Sequence, residues 1–173
     1  MPLFSRREQP PAEVLQRLEP QERFVSWADT SDGGVVAATS HGLWWPFADG
    51  ARRVAWQYVD KVTWRDGTLV LIEADVEDDF LLVDRPPVAV TLSRPRDLPP
   101  VVRKRVEANI VRREMVAVPG GAVRFVARRQ PGRDGLVWWA RLEPATPDSE
   151  QVRSAIRARL AILRAAGDDG QLR

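Results

Sequence analysis

The sequence predicts an α+β fold: an antiparallel meander, then a helix, an added β-hairpin and a C-terminal helix. Three observations carry this. Across residues 23–92, short runs of Val, Leu, Ile and Trp are separated by turns rich in Asp and Gly, the punctuation of antiparallel strands. Val102, Val106 and Ile110 then fall at helical spacing, leaving Arg103, Lys104, Arg112 and Arg113 for solvent. Val152, Ile156, Leu160 and Leu163 repeat that spacing near the C-terminus, with Arg153, Arg157 and Arg164 on the opposite face.

Element by element, residues 2–11 are rich in proline and charge, and residues 11–18 predict a short helix with Pro11 at its first turn and Pro20 beyond its end. Residues 23–28 and 35–39 read as strands joined by a turn of Asp, Ser and Gly. Ser40-His41-Gly42 leads into a strand over 43–47, and Asp49-Gly50 supplies a hairpin turn into 52–56. Residues 57–60 break the alternation as a helical turn. Asp66-Gly67, between strands at 61–65 and 68–74, is the clearest hairpin signal in the chain. An acidic connection at 75–79, a strand at 80–83, the Pro86-Pro87 break and a strand at 88–92 complete a meander of about seven strands.

The next helix is expected to run from Leu98 to Glu114. A strand at 115–118, a Gly120-Gly121 turn, a strand at 123–129, a loop at 131–135 and a strand at 136–142 follow, and Asp148 stands where it can cap the last helix. The organisation expected is a tail and short helix over 1–20, the meander with its helix over 21–114, the hairpin and final helix over 115–166 packed as one unit with the rest, and a tail over 167–173. Pro95 and Pro100 bound a seam between the two halves.

Composition removes several classes of function. The 173 residues are 44% hydrophobic and 29% charged, values of an ordinary globular protein. A net charge of +2 does not by itself call for nucleic acid. Arginine far outnumbers lysine, with Lys61 and Lys104 the only lysines, a bias read first as that of a GC-rich genome and only secondarily as a preference for bidentate anion contacts. Without cysteine there are no disulfides, thiolate metal sites or thiol nucleophiles. His41 is the single histidine, so multi-histidine metal sites within the chain are excluded and a Ser-His-Asp triad would have to use it; no GxSxG elbow accompanies it. Neither GxGxxG nor a Walker pattern is present. The expectation is a protein that is not an enzyme and needs no cofactor.

The N-terminus lacks an apolar signal-peptide core, and no stretch approaches the roughly 18 apolar residues needed to span a bilayer, so a cytoplasmic protein is expected. Phe4, Arg6 and Arg7 suggest a weak peripheral membrane anchor, with a frayed tail as the plainer reading.

Three groups of residues are candidates for function. Side chains alternate along a strand, so Trp44 and Trp45 point to opposite faces, as do Trp138 and Trp139. Either appended helices cover the second face or the outward ring belongs to a binding surface. Arg124, Arg128, Arg129, Arg133 and Arg141 surround the second Trp pair, a pattern that grips phosphate or single-stranded nucleic acid by charge and stacking, unless Glu143, Asp134 and the acidic residues of the last helix pair them. Asp75, Glu77, Asp78 and Asp79 offer oxygen ligands to a divalent cation and a route to a metal-dependent enzyme, but lack EF-hand spacing and read more simply as a solvated loop. A protein partner is the leading expectation, with an anionic ligand or nucleic acid on the 123–141 hairpin as the alternative.

The order of features over residues 33–92 resembles bacterial pleckstrin-homology-like (PH-like) and GRAM-like domains. The resemblance rests on Val36-Ala-Ala-Thr-Ser-His-Gly-Leu-Trp-Trp45 and on the basic, apolar, Trp-containing segment from Arg53 to Val62. The whole chain is also similar to uncharacterised actinobacterial proteins of like length, through residues 98–106 and 123–129. The resemblance implies a strongly bent antiparallel sheet or split β-barrel closed by a helix. PH-like domains bind lipids, peptides or proteins and are not usually enzymes, and the fold does not choose among those partners.

Overall fold

The computed structural model describes residues 9–168. After the short helix α1 (Ala12–Leu15), strands β1 (Phe24–Thr30), β2 (Val35–Thr39), β3 (Gly42–Phe47) and β4 (Gly50–Ala55) form an antiparallel meander. A 3-10 turn at Trp56–Tyr58 redirects the chain into β5 (Val59–Arg65), which pairs with β6 (Thr68–Glu77) across Asp66-Gly67. Both turn residues have positive φ, 50° and 78°, the type I′ geometry that Asp-Gly favours.

β6 organises the sheet. Thr68 to Leu71 pair with β8 (Val88–Arg94), and Ala74 to Glu77 pair with β7 (Leu81–Asp84). β7 and β8 therefore lie along one edge of β6 as a single strand broken at Pro86-Pro87, while β5 holds the other edge. β8 also pairs with β1, so the lateral order is β4-β3-β2-β1-β8-β6, with β5 added beside β6. Every one of these strands sends a side chain into one core, among them Ala28, Val36, Trp45, Val54, Val59, Leu71 and Leu92. Residues 23–92 thus hold eight strands, one at each of the eight runs read from the sequence, against an expected total of about seven.

Gly42 sits where β3 passes closest to its neighbour, paired with Ala55. A Cβ there would overlap the Val54 carbonyl oxygen.

Helix α2 (Leu98–Asn109) closes this core with Leu98 and Val102, both fully buried, and carries its prolines in the first turn, where no backbone donor is lost. It ends at Asn109, not at Glu114. Ile110, Val111, Val116 and Val118 are β-branched and pair into strand β9 (Ile110–Val118), so sheet pairing overrides the helical spacing of Ile110. The change from one core to the next falls here and not between Pro95 and Pro100, which lead directly into α2.

Strands β9, β10 (Gly121–Arg129) and β11 (Leu136–Leu142) form the added unit, and β11 joins the first sheet by pairing in parallel with β7 through Ala140 and Leu81. Helix α3 (Glu150–Asp168) covers one face, placing Val152, Ile156 and Leu160 against Phe80, Phe125 and Trp138. Its cap is Ser149, whose Oγ accepts from Val152 N at 3.3 Å, and not Asp148, which pairs with Arg153. α3 also extends into the stretch expected to be a tail; residues 169–173, and Phe4, Arg6 and Arg7, lie outside the described residues. The protein is α+β, with one large open sheet that is antiparallel apart from the β7–β11 pair. Among the described residues no helix is long and apolar enough to cross a membrane.

Candidate functional site

All four paired tryptophans are buried: Trp45 in the first core, Trp138 under α3, Trp44 against Val14 of α1 with Leu18 and Phe24 beside it, and Trp139 against Ala74, Leu82 and Tyr58. Each member of a pair faces a different layer, as strand alternation requires, and each layer is filled. None of these rings forms an exposed patch.

Three of the five hairpin arginines are paired. Arg124 pairs with Glu143 at 2.5 Å, and Arg141 reaches Asp84 and Asp60 at 2.6 and 2.7 Å. Arg128 is buried on β10 and donates to the carbonyls of Gln57 and Val59 and to Asp60. Burial lowers the pKa of its guanidinium, against the raising effect of Asp60. Arg128 and Arg141 staple the added unit to the start of β5, while Arg124 pairs within that unit. Arg129 is exposed at the end of β10.

The acidic run is not a loop over its whole length, since β6 continues through Glu77. Asp78 and Asp79 occupy the left-handed region at φ 49° and 61° and make the turn into β7, a conformation Asp tolerates better than most residues. Asp75 is bound by Arg85 at 2.7 Å, and Arg153 gathers Glu77, Asp78 and Asp148. A second set, Glu19, Glu22 and His41, brings candidate metal-ligand atoms within 4.8 Å of one another. Arg53 already pairs with both of these glutamates, and Thr39 donates to Glu22, so a cation would have to displace a guanidinium.

What the structure opens to solvent lies elsewhere. A groove of about 670 Å³ runs between β5 and α2, lined by Val62, Trp64, Leu69, Pro99 and Val106 with Lys61 at its side. Trp64 is opposite Leu69 and Val62 opposite Leu71 in the β5–β6 register, so both face the core side of the sheet, yet Trp64 remains 40% exposed because α2 does not cover it. Among the described residues β5 pairs only with β6, and none of them pairs with its other edge beside the groove. Sequence reasoning missed Trp64. Its spacing from Val62 signals an inward face, and only the placement of α2 decides whether that face is covered.

A smaller hollow lies across the end of α2, the end of β10 and the loop before β11. Arg105, Asn109, Arg129 and Arg133 are on its wall.

No family model, curated protein or solved structure matches this chain. The groove and the hollow are two of the openings on the surface. The groove is the larger and more apolar of the two, with an unpaired strand edge along one wall. That is the geometry of a site for an extended chain, because backbone groups at a sheet edge pair with any segment laid against them and flanking apolar positions select its side chains.

Proposed function

We propose that the chain is a non-enzymatic binding protein, built on a PH-like barrel of β1 to β6 with β8 and closed by α2, that takes up an extended segment of a partner protein between β5 and α2. The observation that carries this reading is Trp64, an inward-facing but 40% exposed ring beside an open strand edge. The PH-like assignment is supported by the succession of four strands, then β5, β6 and β8, then a helix that packs Leu98 and Val102 into their common core. Binding adds a strand to β5 while an apolar partner side chain covers Trp64. The Val59 carbonyl is already occupied by Arg128, which places the usable edge along residues 61–65. Lys61 has no ion-pair partner among the described residues, whereas Arg103 and Glu107 of the groove pair with each other. The segment it favours therefore carries an acidic residue next to its apolar anchor.

Panning a random peptide library on the full-length chain tests this. Recovered peptides are expected to share an apolar residue beside an acidic one, and their affinity is expected to fall about tenfold or more in Trp64→Ala, the loss typical of an interface anchor. Lys61→Glu is expected to weaken acidic peptides selectively. Recovery of no peptide above background, or binding indifferent to both substitutions, would show that the groove is not the site.

A further inference from the structure

We propose that the hollow between α2, the end of β10 and the loop before β11 binds a small phosphate monoester. Its volume of about 290 Å³ lies just below the usual range of ligand pockets, about 300–1,000 Å³, and suits a small phosphate ester. Three arginines line it from three segments: Arg105 from α2, Arg129 from the last position of β10, and Arg133 from the loop. None of the three side chains has a hydrogen-bond or ion-pair partner among the described residues. Arg124, Arg128 and Arg141, on the same hairpin, are all paired. Convergence of unpaired arginines from separate elements leaves their forks free for a planar, multidentate acceptor such as phosphate.

Charge matches that class. Asp134 is the one carboxylate on the lining, so the three arginines leave two positive charges in excess. A phosphate monoester carries about 1.5 to 2 negative charges at neutral pH.

Asn109 fixes the backbone that carries Arg129. It is 6% exposed and lines the same hollow, and its Nδ2 donates to the Arg129 carbonyl at 2.8 Å, tying the end of α2 to the end of β10. The site shares no lining residue with the β5–α2 groove, so it stands whether or not a peptide binds there.

Titration calorimetry of the full-length chain at low salt with glycerol 3-phosphate, and cosedimentation with vesicles containing phosphatidic acid, distinguish a soluble phosphate ester from a lipid headgroup. Glycerol 3-phosphate is expected to bind with one site per chain and glycerol not at all. The double variant Arg129→Glu, Arg133→Glu changes two exposed side chains and is expected to weaken binding at least about tenfold, while its unfolding midpoint stays that of the parent. Binding seen only on the vesicles and lost in the same variant assigns the phosphate to a lipid and upholds the site. Flat titrations in both arms, or binding that survives the double charge reversal, overturn it.

Discussion

Arg128 Nη2 donates to Asp60 Oδ1 across 3.1 Å, and the same oxygen accepts from Arg141 Nη2 at 2.7 Å. Arg128 is 2% exposed, and its Nη1 serves the Gln57 and Val59 carbonyls as well, so one β10 side chain ties the added unit to the start of β5. Arg128→Leu leaves Asp60 and two carbonyls short of a donor, and is expected to cost about 3–5 kcal/mol, the range for removing one partner of a buried ion pair. Asp60→Asn should cost less, because Arg141 keeps Asp84. Urea midpoints of both variants and of the double variant give the coupling directly. An Arg128→Leu loss under about 1 kcal/mol would mean that the staple is not closed in solution.

Gly42→Ala tests the β3–β4 register. The new Cβ would meet the Val54 carbonyl oxygen, a backbone atom that cannot swing aside, and strand separation is the only relief. A loss of about 1–3 kcal/mol is expected, as for other overpacked sites, seen as a lowered melting temperature. Unchanged melting would place Gly42 away from Ala55 and contradict the pairing described here.

What could be read in the sequence was local. Asp66-Gly67 encodes its turn in two residues, and Val152, Ile156 and Leu160 encode the buried stripe of α3 in one helix. The end of α2 was not legible, since Ile110 fits a helical period and a strand equally well and only β10, later in the chain, decides between them. The parallel contact of Leu81 with Ala140 has no local signal at all. The two openings share that cause. Trp64 is uncovered because of where α2 lies, and Arg105 meets Arg129 and Arg133 only after the hairpin folds back across the end of that helix.

Acid should weaken the protein in a defined window. Arg53 lowers the pKa of Glu19, Arg85 that of Asp75 and Arg153 that of Asp148, in each case chiefly through a side-chain hydrogen bond. A carboxylate whose folded pKa lies below its unfolded one contributes fully above the unfolded value and loses that contribution as pH falls through the folded value. Stability is therefore expected to hold down to about pH 5 and to decline below about pH 4, where free Asp and Glu titrate. Urea unfolding across that range provides the check, and Asp148→Asn should flatten the decline. Equal stability above and below the window would show that these surface pairs are not formed in solution.

Shortening the chain distinguishes the first core from the whole. A fragment of residues 20–97 lacks Leu98 and Val102, both 0% exposed, and uncovers the side of Leu43, Leu69 and Trp45 that α2 closes. It is expected to be insoluble. A fragment of residues 9–109 retains α2 and α1, and with them the cover over Trp45 and Trp44, but it removes Arg128 and Arg141 from Asp60 and leaves the β7 edge without β11. It should unfold cooperatively in urea at a lower midpoint than the full chain. A soluble, cooperatively folding fragment of residues 20–97 would show instead that the first core needs no helix, and would return the division of the protein to Pro95 and Pro100.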